Sequence, residues 1–156
     1  MMKKILLFIS FIIPAVFFMQ SCSEAPLEIT SENEGVLIYS RNGLIDSLTG
    51  TCSSFLTRTA IIDTLDFTKY RSVKIEFDAY TDGDLSRINI FYLNQNAAVN
   101  IMNIEGINAI SNNKSIIVNS PNIKSYFYLR MQLFASVCTG DLYHLKLRDL
   151  KISGIE

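Results

Sequence analysis

The sequence contains no tryptophan, and with that residue goes the usual platform for stacking against a flat ligand ring. It has a single histidine, His144, which excludes a multi-histidine metal centre. Any Ser-His-Asp or Cys-His mechanism would have to run through that one side chain, which shares a face with Leu142, Lys146 and Arg148. Cysteine is scarce: Cys22, Cys52 and Cys138 are the only three, and Cys52, Cys138 and His144 lack the close spacings of a zinc site. Positive charge is not in excess, Lys+Arg being 14 against 15 Asp+Glu, which argues against a nucleic-acid partner, whose backbone demands clustered Lys and Arg. After the first 22 residues, no apolar run approaches the ~20 residues of a membrane-spanning helix. No stretch there sustains a helical period, and no internal repeat is visible.

What is present is concentrated at the start. Lys3 and Lys4 precede fifteen residues, Ile5 to Met19, interrupted only by Ser10 and Pro14, and the run stops at Gln20-Ser21-Cys22. This is the layout of a secretory signal peptide. A cysteine directly after a small residue, in place of an Ala-x-Ala site, resembles a bacterial lipoprotein signal. Met19 and Gln20 before Ser-Cys match its looser form, familiar from Bacteroidota-like bacteria. The resemblance covers residues 1–22. It implies cleavage after residue 21, a lipid such as palmitate on Cys22, and anchoring to the outer membrane, facing the periplasm or the cell surface. The alternative is an uncleaved N-terminal anchor helix.

Residues 22–33 are polar and acidic and contain Pro26, which suits a flexible tether. Removal of residues 1–21 leaves 135, enough for one domain with a real core. Lys3 and Lys4 leave with the signal, so Lys+Arg falls from 14 to 12 against 15 Asp+Glu, a net charge of −3. With Cys22 lipidated, Cys52 and Cys138 are left either as one disulfide or as two separate buried thiols. The oxidising compartment at the end of an export route favours the bond. It would close a loop of 86 residues and stabilise by roughly 4–5 kcal/mol on the chain-entropy model.

From residue 34 to 156 the pattern is β. Val36-Leu37-Ile38-Tyr39 runs into Arg41-Asn42-Gly43, where Asn-Gly predicts a tight turn and Leu44 to Leu48 a return strand. Arg71 to Thr81 alternates most cleanly, with Val73, Ile75, Phe77 and Ala79 on one face and Lys74, Glu76, Asp78 and Tyr80 on the other. Asp82-Gly83-Asp84 reads as a turn leading to a hairpin partner over Arg87 to Leu93. In Asp141 to Ile152, Tyr143, Leu145 and Leu147 fall on one face and Leu150 and Ile152 on the other; a bulge near Asp149 would bring both sets to one core.

Eight to ten short strands predict an all-β chain, an antiparallel two-sheet β-sandwich of jelly-roll type. The stretch Leu65 to Ala79 and the closing Leu145-Lys-Leu-Arg-Asp-Leu-Lys-Ile-Ser-Gly154 resemble jelly-roll sandwiches of the carbohydrate-binding and galactose-binding-like type. The resemblance spans about half of the mature chain.

Three clusters could carry chemistry. Glu76 and Asp78 lie ~7 Å apart along one strand face, a spacing compatible with an inverting glycosidase and equally with an ordinary solvated face. Asp82, Asp84 and Ser86 could offer oxygens to calcium, but Asp-Gly is also an ordinary turn, and no metal or cofactor is assigned. The third cluster is Tyr126, Tyr128, Arg130 and Gln132, which alternate with Phe127, Leu129, Met131 and Leu133. The apolar set is the core candidate. The other set would present flat rings and planar polar groups suited to sugars, with Tyr80 extending it if the strands are neighbours. The expectation is a non-catalytic, membrane-anchored module for a glycan or another envelope partner. A structural or assembly lipoprotein with no small ligand is the alternative, and a hydrolase is disfavoured.

Overall fold

The structure, a computed structural model, describes residues 35–156. The signal segment, Cys22 and the tether over 22–33 lie outside the described residues. Eight strands and one short helix follow in order: β1 (Val36–Gly50), β2 (Leu56–Asp66), β3 (Ser72–Thr81), β4 (Arg87–Asn94), β5 (Ala97–Glu105), α1 (Ile107–Ile110), β6 (Asn112–Asn119), β7 (Lys124–Leu133) and β8 (Tyr143–Ile155).

They form two four-stranded sheets, β1-β8-β3-β6 and β2-β7-β4-β5, with every pairing antiparallel. Successive strands β1 to β4 alternate between the sheets, which is the eight-stranded jelly roll the sequence predicts. The chain therefore does not form the expected β3–β4 hairpin. Residues 82–86 instead cross from the first sheet to the second.

Alternation on each strand feeds one core between the sheets. Val73, Ile75, Phe77 and Ala79 of β3 are buried on one side, and Phe127, Leu129, Met131 and Leu133 of β7 on the other. Phe67 meets Phe127 edge-on, centroids 4.9 Å apart and planes at 89°, the preferred arrangement for two buried rings. The expected bulge exists: Asp149 has φ +51°, and Leu145, Leu147, Leu150 and Ile152 are all buried. It lies where the β3–β8 register shifts between the pairs Asp78↔Arg148 and Glu76↔Lys151.

The Asn42-Gly43 turn does not exist. β1 is one strand of 15 residues, and its register against β8 shifts between Arg41↔Leu150 and Leu44↔Arg148. Gly43, at φ +80°, occupies the irregular position, and its N–H donates to Asp149 Oδ1 at 2.6 Å. The flexibility that suits glycine to a turn serves here at an inserted position within a strand.

Connections 51–55, 82–86, 106–111 and 134–142 gather at one end of the sandwich. Cys52 and Cys138 are bonded there, Cα atoms 5.4 Å apart, tying the β1–β2 crossing to the β7–β8 connection. Asp84 accepts from Ser136 N at 2.6 Å and from the Ser136 hydroxyl, and Asp82 Oδ1 accepts from His144 N at 2.5 Å. The carboxylates of the Asp82-Gly83-Asp84 turn thus hold neighbouring loops together.

Candidate functional site

The outward face of the second sheet is built around β7. Tyr126, Tyr128, Arg130 and Gln132 point outward, as alternation predicts, while their neighbours fill the core. Register places Ile61 of β2 and Phe91 of β4 on either side of Tyr128, and Thr59 and Asn89 on either side of Arg130. One further pair along, Thr57 and Arg87 flank Gln132.

Phe91 is the unusual member. It faces away from the inter-sheet core, yet it is only 2 % exposed. The Tyr128 ring stacks on it with centroids 5.3 Å apart and planes at 21°, and the Arg130 guanidinium carbon lies 4.6 Å over it. Stacking and cation–π attraction, each about 0.5–1.5 kcal/mol, fix both outward side chains. Among the described residues Arg130 has no ion-pair partner, so its N–H fork stays available. Tyr126, at 60 % exposure, and Ile61, at 63 %, extend the flat surface beyond the locked pair.

Polar groups order the remainder of the face. Asn89 Nδ2 donates to Asn103 Oδ1 at 2.6 Å, Gln132 Nε2 to Thr57 Oγ1 at 3.5 Å, and Arg87 Nε pairs with Glu105 Oε2 at 2.7 Å. A surface of fixed rings with amide and guanidinium groups beside them can stack against the C–H face of a sugar and donate to its hydroxyls.

Tyr80 does not extend this row. It lies on β3, in the other sheet, where it is 50 % exposed, because the strand that alternates most cleanly pairs with β6 and β8 rather than with β7. Its hydroxyl donates to Asp82 Oδ2 at 3.3 Å, and the nearby negative charge of Asp82 raises the phenol above its ordinary pKa. Phe91, Asn89 and Ile61 were missed by sequence reasoning. For Asn89 and Phe91 the signal was the parity opposite to Ile88, Ile90 and Tyr92 on β4, legible only once β4 is known to lie beside β7; Ile61 needed the β2–β7 register.

Glu76 and His144 are each held by neighbouring side chains. Glu76 is bridged to Lys74 at 3.0 Å and to Lys151 at 3.6 Å, and the Lys74 hydrogen bond holds its carboxyl below the usual pKa, the opposite of what a general acid requires. His144 Nδ1 lies 3.0 Å from Thr49 Oγ1, and among the described residues no carboxylate is bonded to its ring. Among them, too, no group of three or more acidic, Cys or His side chains is placed to hold a metal ion.

No family model and no curated protein matches the chain. Among solved structures it is similar to the CBM36-1 domain of a multidomain xylanase from the hindgut metagenome of Trinervitermes trinervoides. That similarity has a TM-score of 0.37 at 11 % identity, covering 79 % of this chain and 93 % of that one.

Proposed function

We propose that the chain is a non-catalytic glycan-binding module of the cell envelope, held on the outer membrane by a lipid on Cys22. One observation carries the binding reading: an outward aromatic ring and an unpaired guanidinium, Tyr128 and Arg130, are both immobilised on a buried Phe91. Ordering these groups in advance lowers the entropy cost of binding. The anchor rests on the sequence around Ser21-Cys22.

The test is a screen of neutral oligosaccharides against the full chain. Tyr126→Ala and Arg130→Ala should each weaken the best binder while leaving the fold intact. In parallel, Cys22→Ser should abolish palmitate labelling in the native host; labelling that persists would remove the anchor from the reading.

A second reading, a structural or assembly protein that docks another envelope protein, is favoured by the loop end. Phe55, Leu85, Val137 and Leu142 are exposed there beside the disulfide. Failure of every neutral glycan in the screen would favour it.

A further inference from the structure

The outward face of the first sheet carries a different chemistry. His144, Lys146, Arg148 and Lys151 lie along the middle strand β8, beside Lys74, Glu76, Asp78 and Tyr80 of β3. The ion pairs that hold this face, Glu76 with Lys74 and Lys151, sit towards one end. They leave out Lys146 and Arg148, both exposed and without an ion pair among the described residues. These two cations line a hollow of about 360 Å3 with Asp78, Ala79 and Tyr80. That volume falls within the ~300–1,000 Å3 range of small-ligand sites.

We propose that this hollow is a second saccharide subsite, which takes a sugar ring bearing a carboxylate. Each wall matches one part of such a ligand. Tyr80, tethered through its hydroxyl to Asp82 and half-exposed, offers a ring face to the apolar side of the sugar. Register sets Lys146 opposite Tyr80 and Arg148 opposite Asp78. Arg148 presents a planar fork that fits a carboxylate bidentately, and Lys146, ~7 Å along the same strand face, adds a second positive charge.

Asp78 lies in register with Arg148, but no N···O contact within 4.0 Å joins them, so its carboxylate remains an acceptor for sugar hydroxyls. The same acid selects against phosphate. Asp78, which also lines an adjoining hollow of about 290 Å3 with Lys114 and Asp149, repels a dianion more than a single carboxylate. Lys146 and Arg148 against the one carboxylate of Asp78 leave the hollow net positive, which a neutral sugar would not offset. The row of Tyr126, Tyr128, Arg130 and Gln132 lies in the other sheet and has no part in the site.

Calorimetry on the full chain with oligogalacturonate and with oligomannuronate tests the proposal. At least one should bind, and its methyl ester should bind at least about tenfold more weakly, the loss expected when a charge-assisted hydrogen bond is removed. Arg148→Gln and Lys146→Gln should each reproduce much of that loss, and Lys69→Gln, which removes an exposed cation in the β2–β3 connection, should leave binding unchanged. The proposal is overturned if neither oligouronate binds, if ester and acid bind alike, or if Lys69→Gln weakens the acid as much as Arg148→Gln does. Binding to phosphatidylglycerol vesicles that Arg148→Gln abolishes, with no oligouronate binding, would overturn it in favour of a membrane surface.

Discussion

The two outward faces of one sandwich are built on opposite principles. On the second sheet, Phe91 is buried by Tyr128 and Arg130, so part of the solvent face behaves as a small second core. On the first sheet the outward apolar residues Leu44 and Ile117 are exposed, and order comes from charge, with Glu76 between Lys74 and Lys151. Packing interactions are short-ranged and insensitive to salt and pH, whereas solvated ion pairs are weak and screened. The contrast teaches that equal exposure to water does not give equal rigidity.

The sharpest way to break this comparison is Phe91→Ala. It should cost ~3–5 kcal/mol, the range for emptying a large aromatic site, and so rival Leu129→Ala in the inter-sheet core at ~2–5 kcal/mol. Urea melts read both; a Phe91 cost near zero would mean that the two outer faces are alike. Tyr128→Ala should cost less, ~1–2 kcal/mol, from the lost stack and the exposed Phe91 beneath it. By the same measurement Tyr80→Ala, on the first sheet, should lie below it.

Glu76 supplies a pH-dependent difference. Its folded pKa is lowered, chiefly by the Lys74 hydrogen bond, so its contribution is complete above the ordinary glutamate value of ~4.3 and is lost as pH falls through the folded value. Glu76→Gln should therefore lower stability slightly at neutral pH and flatten the acid side of the stability profile; an unchanged acid limb would contradict this. The smallest effect is expected for Lys146→Gln with Arg148→Gln. Stability should change by no more than ~0.5 kcal/mol, because neither cation holds an ion pair among the described residues. A larger loss in thermal melts would make these cations structural.

Strand faces were legible in the sequence because alternation is a local property. β3 and β7 put the expected residues inside, and the change of parity in β8 disclosed the bulge at Asp149. Neighbours were not legible, because pairing joins residues far apart in the chain. Hence alternation alone leaves open whether Tyr80 joins Tyr128, which two different sheets keep apart, and Asp82-Gly83-Asp84 carries the signal of a hairpin turn although it crosses between the sheets. Local turn signals misled in both directions. Asn42-Gly43 marks a bulge, while the two-residue β4–β5 hairpin turns on Gln95 and Asn96 at φ +48° and +69°, with no glycine to announce it. The candidate site was half readable: its outward row came from alternation, but the buried Phe91 that fixes it needed the β4–β7 register.

The disulfide has a mechanical consequence. It closes residues 52–138 into a covalent ring that contains β2 to β7, leaving β1 and β8 outside it. These two strands pair with each other, and Val36 at the start of one lies opposite Gly154 near the end of the other. A force applied between the two chain ends therefore meets the ladder at its open edge and peels it one pair at a time, at low load. Unravelling from either end must then stop at the ring, so the extensible contour of the oxidised domain is confined to residues 35–51 and 139–156. Single-molecule stretching should show this short extension under oxidising conditions and release of the full domain length once the bond is reduced.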